Sequence, residues 1–417
     1  MNILLKSAKI IDDYSPFNNS TKDILIKNGK VQEIGDNLSA SNLKVISFKN
    51  LHISCGWFDS CVSFGDPGYE ERETLNNGLL ISGYSGYTHI AYNTNTDPKP
   101  ESKADIFHLI EESSLFPTKL YPKARISLSN NNNNLAPLRE MHSAGAICFS
   151  NYKNPISNPN LIKLALQYSS DFGGIIESFP LDYNLANNGL MNEGLINTSI
   201  GVAGIPKIAE EIQIARDIEI LRYYGGRLHI PNISSKGSVA LIKKAKKDKL
   251  SLSCSVSIQN LCFTDEKLND FNTSAKLLPP LRDKNDMISL RRALLDGTID
   301  MVTSDHSPIN IELKDIEFNL AYFGSIGLEN TFGSLLSIYD INQVISILNR
   351  GKELFGIPNN KIDIGSNADF TLFEPSSIKT VSNKDSKSTS KNNIFIGHKT
   401  IGSVYGIISN EKIVLNS

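Results

Sequence analysis

The stretch Ile208-Ala-Glu-Glu-Ile-Gln-Ile-Ala-Arg-Asp-Ile-Glu-Ile-Leu221, followed by Arg227-Leu-His-Ile230, decides the fold class. In the first segment apolar residues recur at a spacing of three to four, which predicts an amphipathic helix. The second segment is a short apolar run of the kind that forms a buried strand. A helix that alternates with a buried strand in this way is the repeating unit of an α/β protein.

The same alternation extends in both directions along the chain. The strand-like runs span residues 52–58, 87–92, 124–128, 144–149, 174–177, 227–230, 250–256 and 299–303. These runs are separated by helical segments, so the chain contains eight β/α alternations. Eight alternations predict a TIM-type (β/α)8 barrel, with the apolar face of the helix at 208–221 packed against it.

Both ends of the chain carry short β-type runs instead. These runs span residues 3–5, 23–26, 31–34, 369–373, 402–408 and 413–415. Asn28-Gly29 separates the second run from the third and is a strong hairpin signal. We therefore expect residues 1–50 and 355–417 to form one small β-sandwich domain together, and residues 51–354 to form the barrel.

Two segments of biased composition interrupt this order. Residues 130–134 are all asparagine, and residues 382–393 are rich in serine, lysine and asparagine. Neither segment offers enough apolar surface to bury, so both are expected to be solvated loops without a functional role.

Composition excludes several classes of partner. The chain of 417 residues has 42 basic and 44 acidic residues and a formal net charge of -2, so we expect it to bind neither nucleic acid nor an anionic membrane. Its five cysteines lack paired spacing, which argues against a disulfide framework and a zinc ribbon. Neither a signal sequence nor a run of about 18 apolar residues is apparent, so we expect a cytoplasmic protein.

An ordered set of short motifs points to a family. The first is Gly56-Trp-Phe-Asp-Ser-Cys-Val-Ser-Phe-Gly-Asp-Pro-Gly-Tyr-Glu70, and the others are Asn93-Thr-Asn95, Met191-Asn-Glu-Gly194, Gly204-Ile-Pro206, Pro279-Pro-Leu-Arg282 and Ser304-Asp-His-Ser-Pro308. Taken together, the set resembles the dihydroorotases of the amidohydrolase superfamily, in its cyclic amidohydrolase branch. Hydantoinase and allantoinase remain alternative assignments. The resemblance covers essentially the whole chain.

The resemblance implies a zinc site whose ligands have been replaced. Dihydroorotases hold one or two Zn²⁺ ions that lower the pKa of a bound water to about 7. At the ligand positions that the resemblance marks, this chain carries Cys61, Ser63, Asn151, Ser178 and Asn232. Only Asp305 survives, as a remnant of the general base. Serine and asparagine bind transition metals poorly, so we expect no metal at this degenerate site.

The substrate-binding positions implied by the resemblance have changed as well. Gly65 stands where the family has an arginine, Leu278 where it has an asparagine, and Ile309 where it has a histidine. Asn93 survives. His306 is read either as a catalytic partner of Asp305 or as a structural residue.

Three further residues have two possible roles each. Cys61 is a candidate nucleophile or an inert buried thiol. His229 is a candidate metal ligand or a core histidine. Arg282 is a candidate substrate anchor or part of a scaffold ion pair.

Three functions follow as hypotheses. The first is a catalytically inactive dihydroorotase homologue that acts as a scaffold or partner subunit in pyrimidine biosynthesis. It would be a homo-oligomer, with aspartate transcarbamoylase or an active dihydroorotase as a candidate partner. The second is an active hydrolase of cyclic amides that uses Asp305 with a single metal ion or with none. The third is a sensor that holds a small pyrimidine-like ligand around Asn93 and Asp305.

Overall fold

The structure is a computed structural model that describes residues 1–39, 43–129 and 131–416. Its strands are β1 (Asn2–Ile10), β2 (Thr21–Lys27), β3 (Lys30–Gly35), β4 (Lys44–Ile46), β5 (His52–Cys55), β6 (Trp57–Val62), β7 (Tyr87–Tyr92), β8 (Lys119–Pro122), β9 (Ser127–Leu128), β10 (Asn131–Leu135), β11 (Phe149–Ser150), β12 (Ile175–Glu177), β13 (Met191–Asn192), β14 (Gly204–Ile205), β15 (Arg227–Ile230), β16 (Leu252–Ser257), β17 (Met301–Thr303), β18 (Phe370–Thr380), β19 (Lys399–Ser409) and β20 (Lys412–Leu415).

Its α-helices are α1 (Leu75–Tyr84), α2 (Lys103–Ser113), α3 (Leu138–Ser143), α4 (Pro159–Ser170), α5 (Tyr183–Ala186), α6 (Leu195–Ile200), α7 (Lys207–Tyr224), α8 (Lys236–Lys247), α9 (Ile258–Cys262), α10 (Lys284–Leu295), α11 (Leu328–Leu336) and α12 (Ile341–Leu354). Short 3-10 helices lie at Asp265–Leu268, Thr273–Ala275 and Ile311–Leu313. Within the described part of the chain, no helix combines the length and the apolar character needed to cross a membrane.

Eight parallel strands close into a barrel, as the sequence predicts. Strands β6, β7 and β8 form one parallel set, and β11, β12, β15, β16 and β17 form the other. Two bridges join the sets into a ring: Ala124 pairs with Phe149, and His306 pairs with Val62. Each barrel strand is followed by at least one helix. The (β/α)8 barrel is therefore confirmed.

The third and fourth barrel strands differ from their predicted positions. The third strand is β8, before the predicted run at 124–128, and only Phe149 of the run at 144–149 belongs to β11. Strand β8 reads Lys-Leu-Tyr-Pro, with Leu120 and Pro122 buried and the other two residues more exposed. Because this short strand begins with a lysine and ends with a proline, a search for apolar runs does not detect it.

Strands from both chain ends form the small β-sandwich domain. Its sheet has the order β20-β19-β18-β5-β1-β2-β3, with β4 paired to β1, so N-terminal and C-terminal strands meet where β5 pairs with β18. Asn28 and Gly29 have φ values of 50° and 71°, as a two-residue hairpin turn of type I′ requires. Ile3, Ile53 and Phe370 lie in its core.

Gly56 divides the predicted strand at 52–58 between the two domains. Strand β5 before it pairs with β1 and β18 in the sandwich sheet, whereas β6 after it is the first barrel strand. A Cβ at Gly56 would lie 2.1 Å from the Oγ1 of Thr88, so the crossing point has no room for a side chain. Strand β5 thus lies in the terminal sheet, although the barrel was expected to begin at residue 51.

Both biased segments depart from the prediction of solvated loops. Residues 131–135 form β10, which pairs antiparallel with β9; Asn130 lies outside the described residues. Residues 382–393, called the strap below, bury Ser388 and Asn392. The Nδ2 of Asn392 donates to the carbonyl oxygens of Ser307 and Gly324, at 3.0 and 3.1 Å. A prediction from apolar content fails for the strap, because hydrogen bonds to buried backbone groups hold this segment in place.

Candidate functional site

Five of the predicted site residues converge at the carboxyl ends of the barrel strands. The Sγ of Cys61 lies 3.5 Å from the Oδ1 of Asp305, and the Nδ2 of Asn232 lies 3.1 Å from the same oxygen. The Nδ2 of Asn93 lies 3.0 Å from the Oγ of Ser63. All five side chains are buried. These five side chains therefore meet at one place, as expected for residues at the carboxyl ends of barrel strands.

Local backbone geometry aims these groups inward. Asn232 and Asp305 have φ values of 51° and 44°, in the left-handed region where the chain turns sharply after a strand. The Oγ1 of Thr303 donates to the Oδ1 of Asn232 at 2.7 Å. Because that bond fixes the amide, the Nδ2 of Asn232 faces Asp305.

A second carboxylate joins the first and last barrel strands. The Asp59 carboxylate accepts hydrogen bonds from the backbone N–H groups of Cys61 and Ser304, both at 2.9 Å. Burial raises the pKa of Asp59 to about 6. Asp59 thus holds together the two strand ends that carry Cys61 and Asp305.

Asn151 and Ser178 do not join the centre. The Oδ1 of Asn151 accepts from the backbone N–H of Ile126 at 3.2 Å, and its Nδ2 donates to the Oγ of Ser127 at 2.9 Å. Ser178 donates to the Oδ2 of Asp217 at 2.6 Å. Both side chains bind neighbouring structural groups instead.

Two lysines, which the sequence reasoning missed, join the centre: Lys123 is buried, and the side chain of Lys153 is 11% exposed. The Nζ of Lys153 lies 2.8 Å from the Oδ2 of Asp305. The Nζ of Lys123 lies 2.6 Å from the Oε2 of Glu177, whose Oε1 accepts from Ser150 at 2.7 Å. A signal was available: Lys123 directly follows β8 and Glu177 ends β12, so both are charged residues at barrel strand ends.

The charges of these groups follow from their partners. Burial alone would lower the pKa of each lysine, but Glu177 beside Lys123 and Asp305 beside Lys153 raise both pKa values above the usual range. Both lysines are therefore ammonium ions. Burial, with a contribution from Asp305, raises the pKa of Cys61 to about 12, so this thiol stays protonated.

This donor set does not fit zinc. Among the residues that the structure describes, no three or more His, Cys, Asp or Glu side chains are grouped so as to hold a metal ion. Asp305 and Glu177 each accept a hydrogen bond from an ammonium ion, and Cys61 is a neutral thiol. A catalytic zinc site needs three strong ligands, and the remaining candidates are neutral amides and hydroxyls.

Neither nearby histidine is hydrogen-bonded to Asp305 in the described structure. The Nδ1 of His306 accepts from the backbone N–H of Gly327 at 3.3 Å, and burial lowers the pKa of His306 to about 3. The ring nitrogens of His229 lie 2.9 and 3.3 Å from the hydroxyls of Ser253 and Ser255. Burial lowers the pKa of His229 to about 4. Both rings are therefore neutral at pH 7.

A cleft of about 530 Å³, the mouth cleft, opens above this centre. Leu278 and Ile309, two of the altered substrate positions, line it together with Lys153. Gly65, the third, has a φ of 123°, and a Cβ on it would lie 2.6 Å from the carbonyl oxygen of Tyr69. The loop at the first strand end therefore excludes any side chain at the position where the resemblance places an arginine.

Arg282 belongs to a buried network rather than to the cleft. Its Nη1 donates to the Oδ1 of Asn192 at 3.0 Å and to the carbonyl oxygen of Ile205 at 2.7 Å. Its Nε donates to the Oγ of Ser234 at 3.0 Å, and its Nη2 lies 3.6 Å from Glu210. Three of the sequence motifs therefore meet at this one guanidinium, as scaffold.

Comparison with known proteins agrees with the motifs. The family model described as "Dihydro-orotase-like" matches residues 53–238. The dihydroorotase of Acetivibrio thermocellus is 34% identical and that of Trichlorobacter lovleyi 31% identical. The alignment covers 99% of this chain and of the first relative, and 100% of both chains for the second.

Solved structures show the same fold. The L-hydantoinase (dihydropyrimidinase) of Arthrobacter aurescens superposes with a TM-score of 0.85 at 19% identity, covering 100% of this chain and 96% of the other. The dihydropyrimidinase of Brevibacillus agri gives a TM-score of 0.83 at 21% identity, covering 100% and 95%. Since the sequence relatives exceed 30% identity over the full length, this chain belongs to the dihydroorotase family.

Proposed function

We propose that this member of the dihydroorotase family does not carry out metal-dependent hydrolysis and serves as a scaffold or partner subunit in pyrimidine biosynthesis. One observation carries the proposal: the ion pairs Lys153–Asp305 and Lys123–Glu177 lie among the barrel strand ends at which the resemblance places the zinc ligands. An ammonium ion supplies positive charge there, but it has no empty orbital with which to coordinate and acidify a water molecule.

Asp305 is also poorly placed to act as a base. Its Oδ2 accepts from Lys153 and its Oδ1 accepts from Asn232, so a water molecule would have to share each oxygen with a donor that is already bound. Without a metal ion, water keeps a pKa near 15.7. General-base catalysis would need Asp305 to abstract a proton from such a water.

Metal content and turnover test the absence of hydrolysis. The purified chain, supplied with Zn²⁺ and dialysed, is expected to hold no stoichiometric zinc. It is also expected to turn over neither dihydroorotate, dihydropyrimidines, hydantoin nor allantoin. Turnover that Asp305→Ala abolishes would refute the proposal, provided that the control Asp171→Ala at the exposed end of α4 retains it.

An exposed apolar surface supports the role as a partner. Helix α7 leaves Ile208 and Ile212 at 51% and 44% exposure, one helical turn apart. Helix α5 lies against the start of α7, since the N–H of Asp182 donates to the carbonyl of Ala209, and it adds exposed Tyr183 and Leu185. Apolar groups gathered on one face are typical of a protein interface.

Co-elution tests the partner. Candidate partners are a second copy of this chain, aspartate transcarbamoylase and an active dihydroorotase, in a cytoplasmic complex. Size-exclusion chromatography with light scattering on co-expressed proteins is expected to show a complex that Ile208→Glu with Ile212→Glu dissolves. The control Leu115→Glu, at a residue 77% exposed elsewhere, should leave it intact. A monomer with every candidate would refute the role.

One observation favours each of the two alternative functions. The name "Dihydroorotase" of both relatives favours an active hydrolase of cyclic amides with an altered site, which the turnover assay above addresses. The open mouth cleft favours a sensor of a small ligand near Asn93, whose Oδ1 is buried without a hydrogen-bond partner in the described structure. A ligand-dependent rise in melting temperature would identify such a sensor.

A further inference from the structure

The mouth cleft is lined by basic side chains and, among the described residues, by no acidic ones. Arg72, Lys99, Lys153 and Lys276 all belong to its lining. Lys314 lies directly behind, with its Nζ 3.3 Å from the carbonyl oxygen of Lys276. The protein as a whole carries a net charge of -2, so this concentration of positive charge is local.

Most of this charge lacks a carboxylate partner. The Nζ of Lys276 donates to the carbonyls of Phe318 and Asn319, at 2.7 and 3.2 Å, and the Nζ of Lys314 donates to the carbonyl of Tyr322 at 2.7 Å. Both side chains are buried. Within the described structure, carbonyl dipoles are thus their hydrogen-bond partners where an ion pair would be expected.

The pKa values of Lys276 and Lys314 are lowered, as expected for buried lysines that have no carboxylate partner in the described structure. Burial lowers the pKa of Lys276 to about 8. Burial, with repulsion from Lys276 and Lys153, lowers the pKa of Lys314 to about 7. A negative charge in the cleft would relieve this repulsion.

Arg72 is prepared for a ligand in a similar way. Its guanidinium carbon lies over the ring of Tyr69, 4.0 Å from the ring centre, and its Nε is buried without a hydrogen-bond partner in the described structure. Glu71 lies 3.7 Å from that nitrogen and is half exposed. A guanidinium held over an aromatic ring keeps N–H groups with which it can bind a planar or tetrahedral oxyanion.

The rest of the lining is apolar and aromatic. Tyr69, Tyr152, Leu278, Ile309 and Tyr322 line the cleft beside the cations. Aromatic and aliphatic walls favour a flat ring, and the cations favour an acidic group attached to it.

We propose that the mouth cleft binds a small organic dianion that carries a flat ring, with its acidic group facing Arg72, Lys99 and Lys153. The proposal rests on the proposed function in one respect only: Lys153 remains paired with Asp305 and is not displaced by a metal ion. Leu278 and Ile309 line this cleft but offer it no polar side-chain contact, so the polar contacts of the site come from residues other than those of the substrate clamp that the resemblance implies.

Titration calorimetry on the full chain tests the ligand class. The probes are uridine and adenosine 5′-monophosphates, the neutral nucleosides uridine and adenosine, and the ringless dianions phosphate and malate. We expect at least one nucleotide to bind at least tenfold more tightly than its nucleoside and than either ringless dianion, and to bind more weakly as salt rises. No binding by any dianion, or equal binding by nucleotide and nucleoside, would overturn the proposal. Equal binding by malate or phosphate would overturn the requirement for a ring.

Variants test the residues. Lys99→Gln and Arg72→Gln are each expected to weaken nucleotide binding about tenfold, because each removes one charged contact. Lys247→Gln, on the outer surface of α8, is the matched loss of charge and should leave binding unchanged. If Lys247→Gln weakened nucleotide binding equally, the binding would depend on the overall charge of the protein and not on contacts in the cleft. Zinc uptake or hydrolysis would refute the proposed function, whereas nucleotide affinity is measured separately on metal-free protein. Failure to bind nucleotide would refute this proposal and leave the metal measurement intact.

Discussion

The ammonium of Lys153 lies 2.8 Å from the Oδ2 of Asp305, and both side chains are almost completely buried. The two residues are 152 positions apart and meet only because β11 and β17 end at the same rim of the barrel. A buried ion pair of this kind depends on both members, because either one alone would be an uncompensated charge.

Removing Lys153 is therefore expected to destabilise the fold. Lys153→Met should lower the free energy of unfolding by about 3–5 kcal/mol, since Asp305 would be left buried and unpaired. The double variant Lys153→Met with Asp305→Asn should recover most of that loss. Urea unfolding measures both, with the exposed Lys247→Met as a control that should change stability by less than about 0.5 kcal/mol. A double variant no more stable than the single one would contradict the pairing.

Stability is expected to fall as the solution is acidified from pH 7 to pH 5. Burial lowers the pKa of His229 to about 4 and of His306 to about 3, below the unfolded value near 6.5. At both histidines the unfolded chain binds more protons in this window, so the neutral folded state loses about 2 kcal/mol per histidine by pH 5. Proton uptake by Asp59, whose pKa is raised to about 6, offsets about 1 kcal/mol of this loss. His229→Gln should make the dependence shallower, whereas His108→Gln, at an exposed position on α2, should not. Parallel curves for His229→Gln and the parent would count against this assignment.

The Gly65 loop is expected to reject the side chain that the resemblance implies. Its φ of 123° and the 2.6 Å approach of a Cβ to the carbonyl of Tyr69 penalise any substitution. Gly65→Ala should cost at least about 1–3 kcal/mol, and Gly65→Arg should cost as much without creating activity. Thermal unfolding of the two variants distinguishes backbone strain, which they share, from a charge effect confined to arginine. A Gly65→Arg variant as stable as the parent would show that the loop can rearrange.

Arg282 is expected to matter for stability and not for ligand binding. Arg282→Met removes a buried guanidinium that bonds Asn192, Ile205 and Ser234, so the free energy of unfolding should fall by about 3–5 kcal/mol. Nucleotide affinity measured below the melting temperature should stay within twofold of the parent. A stable variant that loses nucleotide binding would instead identify Arg282 as a ligand anchor.

Strand identities were predictable where local pattern suffices. Strand β7 and strand β15 have the bounds that their apolar runs predict, and Cys61, Asn232 and Asp305 meet because each lies at or just beyond the end of a barrel strand. The lysine partners were not predictable in the same way. Lysine is rarely buried, and only the closed barrel shows that Lys123 and Lys153 face carboxylates 54 and 152 residues away.

The strap is a case in which composition predicts too little order. Its serines and asparagines suggest a solvated loop, yet Glu73 accepts from the hydroxyls of Ser388 and Thr389. Glu73 lies 315 residues from Ser388 in the sequence, so no local sequence pattern predicts this contact. Polar segments become ordered when the rest of the fold supplies fixed donors and acceptors.

The pairing of β5 with β18 has a consequence for biosynthesis. Strands β1 to β5 are made before the barrel, whereas β18, which pairs with β5 in their sheet, is made only after it. The N-terminal strands must therefore wait with an open edge while the whole barrel is synthesised. We expect nascent chains that stop before β18 to be the aggregation-prone species, and chaperones to be needed most during that interval.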